Sequence, residues 1–227
     1  MPRDVLLVSE TQPFADNIPQ QPAFSTAGNI HKPQYRAFWT DVVQPDKWVL
    51  EVLNEGYKLP FKSQDPPSIY MEKNNKSALD NLPFVREEVS KYVDRRVVLP
   101  VQKCPTCVSS LMVSLRHITE DEVKKRLCLD LSRWINLALL KEAVTLPSLG
   151  KALKSLLLGD YMATYNLSSA YHHVRIHEEH WQFLGFSVPD ENGKDCYCVF
   201  TCMSFGLALA THCLAWLTKP ICALLAK

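Results

Sequence analysis

The sequence lacks features that would place a protein in a functional class at once. Its 25 lysine and arginine residues nearly balance 24 aspartate and glutamate residues, which leaves a formal net charge of +1. A net charge this small does not indicate a nucleic-acid partner. Binding to nucleic acid would therefore depend on a local cluster of basic residues. The first residues contain only the short apolar run Val5-Leu6-Leu7-Val8, which is too short for a secretory signal. We therefore expect an intracellular protein, in the cytoplasm or nucleus, that is not secreted.

Long uninterrupted apolar segments are also missing. The longest candidate, residues 205–226, is interrupted by His212, Thr218, Lys219 and Pro220. A membrane span would place the lysine charge in lipid, so we interpret the segment as a buried helix and expect no membrane partner. The hydrophobic content of 47%, with 10% aromatic residues, is sufficient for a packed core.

Eight cysteines are present, scattered through apparent core segments of a mid-sized chain. In an intracellular protein this distribution favours free thiols over disulfides. Cys104 and Cys107 have the spacing of half a zinc site, but no second close pair follows them. A second cluster of histidines and cysteines falls on different faces of its elements, so we expect no metal site: His173, His177, His180, Cys196, Cys198 and Cys202.

The pattern of elements predicts a mixed α+β protein without internal repeats. Residues 1–34 are rich in proline and polar side chains and are predicted to be a flexible, disordered leader. Residues 35–80 are predicted to form a helical and extended N-terminal extension. Within it, Asp46 begins a short amphipathic helix that ends near Gly56.

Residues 81–147 are predicted to form a second unit, and residues 148–227 a third. The second unit begins with an amphipathic helix from Asn81 and continues with strands, two of which are joined as a hairpin (97–99, 109–115 and 126–131). The third unit contains a helix over 148–158, strands over 161–167 and 196–201, and an apolar helix from about Leu207.

One stretch is locally basic. Residues 91–126 contain eight basic and four acidic side chains, and the basic group includes Lys124, Lys125 and Arg126. On charge alone, this basic stretch is as well explained by a solvent-exposed face as by a binding site. Lys124 and Lys125 are our candidate nucleic-acid contacts.

Several motifs then follow in a fixed order. Arg126 precedes Asp130 by four residues in a predicted strand, and the segment Asn166-Leu-Ser-Ser-Ala-Tyr-His-His-Val follows. Phe186 and the segment Ser204-Phe205-Gly206-Leu207 complete the order. Together these motifs resemble the reverse transcriptases of retroelements, most closely the tyrosine-recombinase group of the DIRS type. The similarity runs from about Tyr35 to the end of the chain.

The resemblance implies a right-hand polymerase, with fingers over residues 81–147 and an incomplete palm over 148–227. It implies that Arg126 contacts the triphosphate of a nucleotide, for which a guanidinium is well suited. It also implies that Tyr171 lies under the sugar as a steric gate. Phe205 and Gly206 would begin the helix that supports the templating base pair. The intact family uses Mg²⁺ for RNA-directed DNA synthesis.

Two departures from the family argue against catalysis. Asn166 occupies the position of the metal-binding aspartate, and an amide is a poor substitute for a carboxylate as a magnesium ligand. The Tyr-x-Asp-Asp hairpin that supplies the other carboxylates is absent from the 227 residues. Asp160 would lie roughly 20 Å from Asn166 along a strand and cannot replace it. We expect no intact catalytic residue, no bound metal and no cofactor.

Three functional hypotheses follow, and whether the chain is an enzyme stays open among them. The first is a fragment of a reverse transcriptase, related by descent to RNA-directed DNA polymerases but inactive. The second is a binding module for an RNA or DNA template-primer that uses Lys124, Lys125 and Arg126. The third is a scaffold that pairs with an intact polymerase chain through apolar surface over residues 207–225, which the missing palm would leave uncovered.

Overall fold

The computed structural model describes residues 30, 33–63, 67–117, 119, 122–141, 143, 144, 150, 154, 157, 159 and 167–225. Most of the predicted leader lies outside the described residues. The same is true of most of the predicted helix over 148–158 and of residues 160–166, which include Asp160 and Asn166.

The fold is mixed α+β, as the sequence predicts. Within the described ranges, seven strands form a five-stranded mixed sheet, in the order β1-β3-β6-β7-β2, and a separate hairpin of β4 and β5. In the larger sheet β1, β3 and β6 are parallel, whereas β6, β7 and β2 are antiparallel. The strands are β1 (Tyr70–Met71), β2 (Val98–Val101), β3 (Cys107–Val108), β4 (Ser110–His117), β5 (Val123–Asp130), β6 (Gly185–Pro189) and β7 (Asp195–Phe200).

Helices surround these strands. The α-helices are α1 (Lys47–Glu55), α2 (Lys76–Leu79), α3 (Leu82–Asp94), α4 (Ile135–Ala138) and α5 (Ala210–Leu225). Three 3-10 helices and one π-helix complete the described elements: Pro33–Tyr35, Ala170–His173, Glu178–Phe183 and Phe38–Val43.

Helix α1 forms as its sequence predicts. The Asp46 carboxylate accepts a hydrogen bond from the Val49 amide at 3.0 Å, which satisfies a donor that the first turn leaves open. The helix ends at Gly56 with φ of 92°. A Cβ there would lie 2.8 Å from the backbone of Ile176 and His177, so this close approach requires glycine.

The predicted hairpin is confirmed. Strands β4 and β5 pair antiparallel from Ser110 opposite Asp130 to His117 opposite Val123. In the half of the hairpin nearest Ser110 and Asp130, one face is apolar and buried in the core: Leu111, Val113, Leu127 and Leu129. The Val113 amide donates to the Ser77 hydroxyl at 3.0 Å, which ties this face to α2.

Helix α5 begins three residues later than predicted. Gly206 has φ of 111°, outside the helical region, and the chain turns once more through Leu207 and Leu209 before the helix starts. The expectation of an uncovered apolar helix does not hold at five positions, which are all buried: Leu207, Leu209, Ala210, Cys213 and Leu217. Trp216 is 41% exposed. Within the described part of the chain, no helix has both the length and the apolar character needed to cross a membrane.

Candidate functional site

Tyr171 and Phe205, two of the predicted nucleotide contacts, lie together. Tyr171 is in the 3-10 helix Ala170–His173, and its ring meets the Phe205 ring edge-on with centroids 5.2 Å apart. The Tyr171 hydroxyl shares a hydrogen bond of 2.9 Å with the Thr211 hydroxyl. The Tyr171 ring is therefore positioned by Phe205 in the 204–207 turn, and its hydroxyl is positioned by Thr211 in α5.

Gly206 places this turn against strand β5. The Leu129 amide donates to the Phe205 carbonyl at 3.0 Å. A Cβ on Gly206 would lie 1.8 Å from the Leu129 carbonyl oxygen, so only glycine allows the two backbones to come this close. Arg126 lies three residues before Leu129 in the same strand, which is roughly 10 Å along it. Arg126 therefore lies in the strand against which the Phe205 backbone packs, and Phe205 in turn contacts Tyr171.

Asn136, which was not among the predicted site residues, fixes the other side of the turn. Its side-chain NH₂ donates to the Gly206 carbonyl at 2.8 Å, and its side-chain oxygen accepts from the Ala208 amide at 2.9 Å. One amide thus uses both its donor and its acceptor to hold residues 206–208 against α4. The only signal for this role was the position of Asn136 at the end of the segment that begins with Asp130.

His172 lies beneath the aromatic pair and is only 2% exposed. Its ring is surrounded by Tyr92, Phe205 and Phe200, at centroid distances of 5.0, 6.1 and 6.5 Å. Its Nδ1 atom is buried and has no hydrogen-bond partner in the described part of the chain. Burial, with smaller effects of Arg95 and His173, lowers the pKa of His172 to about 4. The ring is therefore neutral at pH 7 and acts as a packing element.

Three cations lie side by side on the outer face of the hairpin. Lys124 and Arg126 are two residues apart in β5 and so share a face, and Arg116 lies directly opposite Lys124 in β4. We call Arg116, Lys124 and Arg126 the cationic row. All three side chains are exposed, and none forms an ion pair with any described residue. Because like charges directly opposite each other destabilise a strand pair, this face favours an external anion.

Lys125 belongs to the opposite face of the same strand. Its ammonium donates to the Asn81 side-chain oxygen at 2.7 Å and lies 5.8 Å from the Phe84 ring centroid, on α3. The predicted contacts Lys124 and Lys125 are therefore separated by the alternation of the strand. Arg116, which was not a predicted contact, lies beside Lys124 instead of Lys125. The strands extend beyond the predicted ranges of 109–115 and 126–131, which included neither Arg116 nor Lys124.

The described residues do not assemble an evident metal centre. Within the described ranges, no group of three or more histidine, cysteine, aspartate or glutamate side chains is placed to hold a metal ion. The Asp130 carboxylate instead accepts hydrogen bonds from the Ser132 amide and hydroxyl, at 3.1 and 2.6 Å. The cysteines are thiols, and burial raises the pKa of Cys107 and of Cys198 to about 12.

Comparison with known proteins gives no relative from which a role can be transferred. No protein-family model matches the chain, and no curated protein sequence matches it significantly. A functional assignment therefore rests on the residues of the site.

Proposed function

We propose that this chain is a reverse-transcriptase-like protein of retroelement origin that binds nucleic-acid phosphates without catalysing polymerisation. The observation that carries the proposal is the cationic row. Arg116 and Lys124 face each other across the hairpin, Arg126 follows, and these exposed side chains form no ion pairs within the described residues. Phosphate oxygens would neutralise this repulsion and bind the arginines in bidentate fashion.

The arrangement next to the row supports the polymerase-like part of the proposal. Phe205 and Gly206 pack against β5, the strand that contains Arg126, and Tyr171 packs against Phe205. The family resemblance would assign these residues to the nucleotide and its base pair. That assignment is an inference from motif order, and the contacts are compatible with it because they bring distant motifs to one edge of the hairpin.

Catalysis is excluded from the proposal because of residue chemistry at position 166. Asn166 offers a neutral amide where two-metal chemistry needs a carboxylate. We expect no primer extension by the purified chain with Mg²⁺ or Mn²⁺. We expect Asn166→Asp alone not to restore it, because the Tyr-x-Asp-Asp carboxylates are also absent from the 227 residues. Nucleotide incorporation above that of a boiled sample would contradict this part of the proposal.

Pairing with an intact polymerase chain has less support. Several of the apolar positions that were expected to form such an interface are buried within the chain itself, among them Leu207, Cys213 and Leu217, although Trp216 is exposed. The exposed cationic row, in contrast, is accessible as it stands. RNA or DNA is therefore the partner that we propose.

Binding can be tested by fluorescence anisotropy with labelled single-stranded RNA, single-stranded DNA and a template-primer duplex over a range of salt concentrations. Three phosphate contacts to a single strand predict a slope of log K against log [salt] of about −2 from the row alone. Replacing Arg116, Lys124 and Arg126 with alanine should remove that part of the slope and most of the affinity.

A matched control removes the same charge elsewhere. Lys47, Lys103 and Lys194 are exposed and lie outside the hairpin strands, so their triple alanine variant should keep most of the affinity and the slope of the row. A flat salt response of the unmodified protein, or equal losses in the two triple variants, would show that the row is not the binding surface.

A further inference from the structure

An exposed tryptophan lies at the base of the hairpin, just beyond the end of β5. Trp134 is 44% exposed. Its indole stacks on the Tyr70 ring, with centroids 5.2 Å apart and planes inclined by 24°. The indole N–H donates to the Glu72 carboxylate at 3.3 Å. Neither the resemblance nor the site described above assigns a role to this side chain.

The groups that hold Trp134 are themselves fixed. Tyr70 is buried, and its hydroxyl shares a hydrogen bond of 2.6 Å with Ser109. The Glu72 oxygen that accepts from Trp134 also lies 3.5 Å from the Arg133 guanidinium. Because Tyr70 covers one face of the indole and Glu72 fixes its N–H edge, the opposite face is the one that we assign to a ligand. An aromatic surface that is already ordered loses little conformational entropy when a flat ligand binds to it.

The position of Trp134 relative to the cationic row indicates the kind of ligand. Asp130 ends the face of β5 that carries Lys124 and Arg126, and it lies roughly 13 Å along the strand from Arg126. Tyr70 lies close to this end of the strand. Its hydroxyl shares a hydrogen bond with Ser109, and the next residue, Ser110, pairs with Asp130. The indole, which stacks on Tyr70, therefore lies towards the Asp130 end of β5, so one extended ligand could contact both the row and the indole.

We propose that Trp134 is a stacking platform for an unpaired nucleobase of a single strand whose phosphates lie along the cationic row. This inference rests on the proposed function, because the row supplies the attraction for the backbone. A basic surface that follows the backbone, combined with an aromatic ring that accepts bases, is the general arrangement for sequence-tolerant single-strand binding. Arg133, beside the indole, balances the charge of Glu72, so the carboxylate repels the strand less.

The experiment compares variants of Trp134 with a control tryptophan. Trp216, in α5, has nearly the same exposure, 41% against 44%, and contacts Trp48 edge-on with ring centroids 6.3 Å apart. Trp134→Ala should weaken binding of a single-stranded oligonucleotide by roughly tenfold. Trp134→Phe should retain most of the affinity because it keeps a π-face. Trp216→Ala should bind as the unmodified protein does.

Two further measurements separate stacking from loss of structure. Trp134→Leu keeps an apolar cover over Tyr70 without an aromatic face, and thermal unfolding reports whether each variant is folded. An oligomer of the same length that lacks all its bases should bind the unmodified protein roughly tenfold more weakly. Trp134→Leu should no longer distinguish the two oligomers, while its salt dependence stays as in the unmodified protein because no phosphate contact is lost.

The outcomes distinguish the two proposals. If the cationic row is required but Trp134→Leu still discriminates bases from abasic sugar-phosphate, then the platform is wrong and the proposed function stands. If binding is absent, or does not need the row, then both are wrong. An equal loss of affinity for fully paired duplex in Trp134→Ala would also contradict stacking, because a duplex presents no unpaired base.

Discussion

The two halves of the candidate site are built in different ways. The aromatic half, with Tyr171, His172, Phe205 and Gly206, is held by ring contacts and backbone hydrogen bonds. The cationic row is exposed, and within the described residues no acidic side chain pairs with it. The aromatic half is therefore ordered without a ligand, whereas the positive charges of the cationic row are left without a neutralising partner among the described residues.

This difference separates stability from binding. Substitutions in the aromatic half remove packing or force backbones apart, so they should lower the free energy of unfolding. Substitutions in the cationic row remove positive charges that attract a ligand, so they should lower the affinity. They also relieve repulsion between these charges and remove no packing, so they should have little effect on the free energy of unfolding. Variants chosen from the two halves can therefore test whether the division is real.

The largest effect is expected at Gly206. A Cβ in Gly206→Ala would lie 1.8 Å from the Leu129 carbonyl oxygen, at φ of 111°. The turn must move away from β5, and we expect the free energy of unfolding to fall by about 3 kcal/mol or more in chemical denaturation.

Gly193 provides the control for this change. It also has positive φ, 81°, but a Cβ there would meet no atom within 4 Å. Gly193→Ala should lower the free energy of unfolding by only about 1 kcal/mol. Similar losses in the two variants would show that conformation alone, and not the contact with Leu129, makes Gly206 necessary.

The next effect concerns the pH dependence of stability at His172. The folded pKa of about 4 lies below the ordinary value of 6.5, so the unfolded chain binds the proton more tightly. The full stability is present above pH 6.5 and is lost as the pH falls towards 4, by up to about 3 kcal/mol. Replacing His172 with phenylalanine, which cannot titrate, should reduce this slope in denaturation curves measured from pH 8 to pH 4. An unchanged slope would show that other groups cause the acid sensitivity.

The smallest effects on stability are expected at the adjacent lysines, Lys124 and Lys125. These two variants best separate the effect on affinity from the effect on stability. Lys124→Glu places a carboxylate opposite Arg116 and should stabilise the hairpin by about 0.5 kcal/mol. The same change should weaken oligonucleotide binding by about fivefold or more, because the row loses a cation and gains an anion. Calorimetry and anisotropy on one sample measure the two opposite changes.

Lys125→Ala is the matched variant on the other face. It loses the bond to Asn81 and the contact with the Phe84 ring, so the free energy of unfolding should fall by about 0.5 kcal/mol. Its affinity for the oligonucleotide should stay within about twofold of the unmodified protein. Equal losses of affinity at Lys124 and Lys125 would mean that net charge, and not the face of the strand, determines binding.

Local elements were predictable from the sequence because local rules determine them. The Asp46 cap and the glycine stop define α1, proline in the first turn marks α3, and alternating apolar positions define the hairpin. The order of the motifs also suggested that Arg126, Tyr171 and Phe205 would lie near one another. The structure brings Tyr171 and Phe205 into contact and places Phe205 against the strand of Arg126.

Long-range contacts were not predictable in the same way. Trp134 stacks on Tyr70 across 64 positions, and the Asn136 side chain bonds to a carbonyl 70 positions away. Neither contact leaves a periodic pattern in the sequence, because each depends on how separate elements pack. The division of Lys124 from Lys125 was accessible in principle, since alternation in a strand separates neighbours.

The order of strands in the large sheet has a consequence for how the chain folds during synthesis. Strand β2 pairs with β7 through Val98 and Phe200, and Tyr57 forms a bridge with Ile176. The N-terminal half of the chain therefore leaves the ribosome before the residues with which it pairs have been synthesised. The edge of β2 stays unpaired until residues near 200 have emerged. Such distant pairing slows folding and exposes the nascent chain to aggregation. We expect that ribosome-bound chains ending before β7 need chaperones, and that protection from protease appears only after β7 has emerged.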